Sequence, residues 1–102
     1  GEDARPVSSP LVFVAAIGGD GLQRATELAR RLRGGGLACE VTYREGSLKS
    51  QLKRAHRLGA VVTVIAGEDE AARGAVTVRQ MATSEQREVS FDELMSHLGE
   101  IL

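Results

Sequence analysis

The sequence predicts an α/β domain with three layers, in which helices cover both faces of a mixed five-stranded sheet. Apolar runs alternate with amphipathic helical segments along the first two thirds of the chain, as in parallel strands joined by helical crossovers. Two further strand-like segments and a last helix follow. Right-handed crossovers then predict the strand order 2-1-3-4-5, with strand 4 antiparallel.

The composition is that of an ordinary globular domain. The 102 residues, 42% of them hydrophobic, suffice for one core. The sequence contains neither a long apolar run nor a signal-like start, so we expect a cytoplasmic location and no membrane partner. Cys39 is the only cysteine, which excludes an internal disulfide and a thiolate metal cage, and we expect a small buried thiol.

The first half of the sheet is marked by apolar runs that end at glycines. Residues 11–17 form a run typical of a strand buried on both faces, and glycines follow it at positions 18, 19 and 21. Apolar residues at helical spacing then predict a helix over about 20–33, which the glycines at 34–36 terminate. Residues 38–43 are the second predicted strand.

The second helix and the central strand follow directly. Ser47 offers a hydroxyl to cap a helix that turns Leu48, Leu52 and Ala55 inward, and Gly59 closes it. Residues 60–66 are small or β-branched and uncharged, which predicts the central strand.

The last third of the chain predicts a hairpin and a helix. Residues 67–74 form a turn, residues 75–81 alternate apolar with polar side chains, and residues 86–90 pair with them. Ser90 and Glu93 have the spacing of a capping box before the last helix. In this topology a binding crevice lies between the ends of strands one and three, beside residues 18–21 and 67–70.

Charge is unevenly distributed, although the net charge is only −1. Residues 44–58 contain five lysines and arginines against Glu45 alone, whereas residues 68–102 contain eight acids against three arginines. This distribution favours a local phosphate contact over nonspecific polyanion binding. A solvated helix face is the alternative.

A basic stripe lies on the second predicted helix. Lys49, Lys53 and Arg57 recur every four residues, and Ser47 stands at the positive helix end, so this face can position a phosphate. The amide of Gln51 can donate to and accept from a splayed base edge, which favours single-stranded RNA over duplex DNA or RNA. Tyr43 is the aromatic best placed for stacking.

The acidic turn and the glycine cluster are weak candidates for catalysis. Residues 68–70 are consecutive acids without a partner histidine or second carboxylate cluster, so we expect neither a catalytic residue nor a metal site. A solvated turn or a helix N-terminus is one interpretation. The other is a carboxylate that accepts from a guanine edge, with Glu68 preferred. The glycines at 18–21 lack dinucleotide or Walker spacing, which leaves a tight turn or an RNA-backbone contact. His56 is interpreted as partly buried.

These segments together resemble a known family. Val-Phe-Val-Ala-Ala-Ile-Gly, Ser-Leu-Lys-Ser-Gln-Leu-Lys-Arg-Ala and Gly-Glu-Asp-Glu with Val-Thr-Val-Arg are similar, in order and spacing, to the C-terminal anticodon-binding domain of histidyl-tRNA synthetases. The resemblance extends over about residues 11–98. The family commonly has an acid at the position of His56 and often proline at that of Ala16.

Residues 1–10 contain both prolines and two serines without apolar periodicity, which predicts a linker or tail from an absent upstream domain. The resemblance implies that residues 11–102 bind the anticodon loop of histidine tRNA and that the absent domain is catalytic. The parent would be a homodimeric histidine-tRNA ligase that uses ATP and Mg²⁺, while this fragment would be non-catalytic and free of cofactors. By the same resemblance, Ser47, Lys49 and Lys53 contact phosphate or ribose. The base contacts fall to Gln51, Glu68 and Arg79.

Three other functions stay open at this point. The domain could belong to a synthetase paralogue that no longer charges tRNA, such as a regulatory subunit of histidine biosynthesis or a tRNA sensor. It could come from a proline, threonine or glycine synthetase. It could also be a protein interaction module that uses the polar helix face and the acidic turn.

Overall fold

Nine secondary-structure elements make up the described part of the computed structural model, which covers residues 10–42 and 46–102. In chain order they are β1 (Leu11–Ala16), α1 (Gly21–Gly34), β2 (Ala38–Val41), α2 (Leu48–Arg57), β3 (Val62–Ala66), α3 (Glu68–Ala72), β4 (Ala75–Gln80), β5 (Gln86–Ser90) and α4 (Phe91–Ile101). The predicted linker, apart from Pro10, and the predicted stacking residue Tyr43 lie outside the described residues.

The sheet has the order β2-β1-β3-β4-β5, which confirms the predicted topology. β1 pairs in parallel with β2 and with β3, whereas β4 is antiparallel to both β3 and β5. The uncharged segment predicted to be central is β3, and all five of its residues are buried.

Alternate residues of β1 belong to two separate hydrophobic cores, because successive side chains of a strand point to opposite faces of the sheet. Val12 and Val14 pack with residues of α1 and α4 on one face. Phe13 and Ala15 pack with Ala55 of α2 on the other face. The helices therefore form two outer layers around the sheet, as predicted, with α1 and α4 on one face and α2 on the other.

Two serine caps fix where helices begin. The Ser47 Oγ accepts from the backbone N–H of Ser50 at 3.1 Å, and the Ser90 Oγ accepts from that of Glu93 at 3.3 Å. Both serines have extended backbone angles, as an N-cap residue requires. The predicted starts of α2 and α4 are confirmed.

Helix α3 lies within the segment predicted to be a turn, and its first residues agree with the interpretation of residues 68–70 as a helix N-terminus. It begins directly after β3 and places three acids in its first turn, where the positive end of the helix dipole stabilises negative charge. With only five residues it is too short to show an amphipathic period. No helix in the described ranges is both long enough and apolar enough to cross a membrane.

Candidate functional site

The two faces of the sheet are covered unequally. α2 packs over β1 and β3, and the same face of β4 and β5 is left partly open. The register pairs Thr77 with Glu88 and Arg79 with Gln86, so these four side chains project from this open face. Thr77 and Arg79 are half-buried, whereas Gln86 and Glu88 are exposed. A polar sheet surface thus lies beside the basic helix.

A groove of about 610 Å³ runs between α2 and the sheet surface. Its apolar floor is formed by Leu48, Leu52 and Met81. Its rim is basic and consists of Lys49, Lys53, Arg57 and Arg79, with His56 beside them. We call these eight residues the α2 groove. Apolar surface bordered by cations suits a ligand with flat rings and an anionic backbone.

The α2 groove unites the predicted basic residues. Lys49, Lys53 and Arg57 are exposed, and no carboxylate among the described residues forms an ion pair with them. Arg79 donates from Nη1 to Gln86 Oε1 at 2.8 Å, which orients its guanidinium across the hairpin. The interpretation of His56 as partly buried is wrong, because the side chain is exposed at the rim. Spacing places it one turn beyond Leu52, at the edge of the buried stripe.

Negative charge near the groove is partly neutralised by an ion pair. Arg73 donates from Nη2 to Glu88 Oε1 at 2.8 Å and from Nε to Glu88 Oε2 at 3.1 Å. These hydrogen bonds lower the pKa of the Glu88 carboxyl from its usual value. Glu88 therefore has a cationic partner, and its charge is balanced by that of Arg73.

Gln51 lies in a different environment from the one predicted. Only 5% of the residue is exposed, and its Oε1 accepts from the Ala16 N–H at 2.8 Å. Its Nε2 donates to the carbonyls of Ala16 and Gly46, at 2.8 and 2.9 Å. Because both amide donors are used and the residue is buried, this geometry is at odds with the predicted base contact.

The spacing of α2 contained the signal for this burial. Leu48, Gln51, Leu52 and Ala55 follow the i, i+3, i+4, i+7 pattern of one buried helix face. The residue type of Gln51 favours a contact with RNA, whereas its position in this pattern places it on the buried face.

Glu68 lies at the exit of β3, apart from the α2 groove. Gly18 has φ +89°, and a Cβ added there would lie 2.6 Å from Glu68 Oε2. The glycine loop after β1 and the start of α3 are therefore in contact, as the predicted crevice requires. A neighbouring cavity of about 130 Å³ is lined by Ala16, Gly18, Leu22 and Gly46.

Glu70 is a carboxylate at the sheet surface that the sequence analysis did not single out. Its Oε2 accepts from Thr77 Oγ1 at 3.5 Å, two residues before Arg79 on β4. Helical residues turn by about 100° each, so Glu68 and Glu70 diverge by about 200°. The helical turn therefore separates the acid beside Gly18 from the acid beside Thr77.

The predicted site residues lie in two places in the fold, and the described residues contain no cluster of metal ligands. Within the ranges 10–42 and 46–102, no three histidine, cysteine or acidic side chains come close enough to hold a metal ion. Ser47 is exposed at the N-terminus of α2, adjacent to the groove. The predicted site therefore falls into two parts, with Ser47, Lys49, Lys53 and Arg79 at or in the groove and Glu68 at the crevice.

Comparison with known proteins places the chain among anticodon-binding domains. The family model described as Anticodon binding domain matches residues 11–101. The histidine–tRNA ligase of Lysinibacillus sphaericus is 40% identical over 89 residues, which are 87% of this chain and 21% of that protein. The ligase of Rhodococcus erythropolis is 31% identical over all 102 residues, 24% of its length. The chain thus spans about a fifth to a quarter of these relatives.

Solved structures share the fold. Apo histidyl-tRNA synthetase of S. aureus aligns with a TM-score of 0.78 at 27% identity, covering 89% of this chain and 23% of that one. The RNA binding domain of threonyl-tRNA synthetase from Cryptosporidium parvum aligns with a TM-score of 0.77 over 90% of this chain and 23% of its own. At 18% identity the second likeness supports the fold alone.

Proposed function

Because this chain belongs to the anticodon-binding domain family, we propose that it binds the anticodon loop of a histidine tRNA. The observation that carries the proposal is the α2 groove, where four cationic side chains border an apolar floor beside an open polar sheet surface. Single-stranded RNA presents both chemistries that such a groove binds, since its bases are unstacked and its phosphates are exposed. Histidine is the amino acid named for the relatives that match nearly the whole chain.

The residues divide the recognition between backbone and bases. Lys49 and Lys53 meet phosphates, and the exposed Ser47 lies where the first backbone N–H groups of α2 favour an anion. Arg79 presents its guanidinium from the sheet surface and reads a base edge. Glu68 accepts from a base at the crevice. Gln51 is taken out of the base-contacting set, because its donors are bonded within the protein.

The rest of the parent protein belongs to the same proposal. A catalytic domain upstream of residue 1, joined through a linker over residues 1–10, would attach histidine to tRNA with ATP and Mg²⁺ in a cytoplasmic homodimer. The chain itself contributes binding and no reaction step. We place Mg²⁺ with the catalytic domain.

The test is a titration of the domain with two anticodon stem-loops, one with the histidine anticodon GUG and one with that anticodon scrambled. We expect tighter binding of the GUG loop, weakened by added salt. Equal affinity for both loops, or no binding to either, would overturn anticodon recognition. A salt-sensitive complex with a protein and none with RNA would favour the interaction module instead.

A further inference from the structure

The end of β1 leaves two backbone groups that β2 does not pair. The Val14 carbonyl accepts from the Thr42 N–H, whereas the Ile17 N–H donates to the Ala66 carbonyl on the opposite side. Backbone groups of alternate residues point to the same side of a strand. The N–H and C=O of Ala16 therefore point toward β2, and β2 has already ended at Val41. Ala16 is 7% exposed, so both groups need a partner within the protein.

The Gln51 amide fills that place. It exchanges two hydrogen bonds with Ala16, one in each direction, and so acts as one further residue of β2. The other N–H of Nε2 donates to the carbonyl of Gly46, the residue directly before the capping residue Ser47. One buried side chain of α2 thus holds both the end of β1 and the segment that leads into α2.

We infer that Gln51 is a positioning residue for the proposed RNA site, an inference that rests on the proposed function. Ser47 and the first turn of α2 follow Gly46, and the glycine loop that contacts Glu68 follows Ala16. The amide fixes the spacing of these two segments, which line the 130 Å³ cavity between them. Gln51 thereby holds the helix cap at Ser47 and the crevice beside Glu68 in the arrangement that binds RNA, before RNA is bound.

Two substitutions disrupt the hydrogen bonds of Gln51 while keeping the side-chain length. Gln51→Met removes all three hydrogen bonds, and Gln51→Glu keeps an acceptor for the Ala16 N–H but places an ionised carboxylate against two carbonyls. Gln23→Met is the matched control, because Gln23 is exposed on α1. If the variants populate the RNA-binding arrangement only about a tenth to a fifth of the time, the Kd for RNA rises about five- to tenfold.

The first readout is amide hydrogen exchange without RNA, measured residue by residue. We expect Gln51→Met to speed exchange at Ala16 and through the first turn of α2, with the amides of β3 and β4 unchanged. Gln23→Met should leave the exchange of every amide unchanged. Exchange that rises uniformly across the sheet, or does not rise at Ala16, would overturn the positioning role.

The second readout is RNA affinity at several salt concentrations. A positioning residue predicts weaker binding with the same salt slope and the same preference for GUG, because no phosphate or base contact is lost. Unchanged affinity in the folded variant would mean that Gln51 contributes only to stability. A changed base preference would mean that Gln51 contacts a base directly. Either result would overturn the inference. If the unaltered domain binds no RNA, the proposed function fails, while the exchange pattern still decides whether Gln51 holds the crevice.

Discussion

Removing the two lysines of the α2 groove should change how RNA binding depends on salt. Lys49 and Lys53 are exposed and have no ion-pair partner among the described residues, so each is available to one phosphate. Each phosphate contact to a single strand contributes about 0.7 to the slope of log affinity against log salt. The double variant K49A/K53A should therefore have a slope shallower by about 1.4. Between about 50 and 200 mM salt, the unaltered domain should lose about sevenfold more affinity than the variant.

The assay is a fluorescence-anisotropy titration of a labelled GUG stem-loop at four salt concentrations. The matched control is R30A/R31A, which removes two exposed cations from α1 on the opposite face of the sheet. We expect the control to keep the original slope. An unchanged slope in K49A/K53A would remove α2 from the interface, and an equal change in both variants would mean that only net charge matters.

Three further outcomes follow from packing, capping and burial. Phe13→Ala should lower the free energy of unfolding, measured by urea titration, by about 3–5 kcal/mol, because Phe13 is fully buried under α2. A loss below about 1 kcal/mol would refute this packing. Ser90→Ala should cost about 1 kcal/mol through the lost cap of α4, whereas the exposed Ser96→Ala should cost much less; equal costs would refute the cap. Burial raises the pKa of the Cys39 thiol to about 11 from 9.0, so alkylation at pH 8 should be slow until urea unfolds the chain. The unfolded thiol ionises first, so stability should fall as the pH rises from 9 to 11, and Cys39→Ala should lack that part of the loss.

The strand order was predictable because the chain separates its elements sharply. β1 and β3 are apolar runs, and glycines at 18, 34–36, 59 and 67 mark the ends of strands and helices. The serines at 47 and 90 mark helix starts by a mechanism that depends on only a few residues. Local chemistry and the handedness of crossovers then leave little freedom in the topology.

The site was less predictable because it depends on which way particular side chains point. The predicted stripe on α2 is present, since a four-residue repeat on a helix fixes one face. The environment of Gln51 depends on β2 ending before β1, a difference in strand length that periodicity does not encode. Likewise, the separation of Glu68 from Glu70 depends on a helix too short to leave a pattern in the sequence.

The central claim is that RNA lies on the α2 side of the sheet, and amide chemical-shift mapping with the GUG stem-loop tests it most directly. We predict that the perturbed amides cluster in α2, along β4 near Arg79, and at the exit of β3 near Glu68. The amides of α1 and α4, on the opposite face, should stay unchanged. Shifts concentrated on α1 and α4 would contradict the account, even if the domain bound the stem-loop tightly.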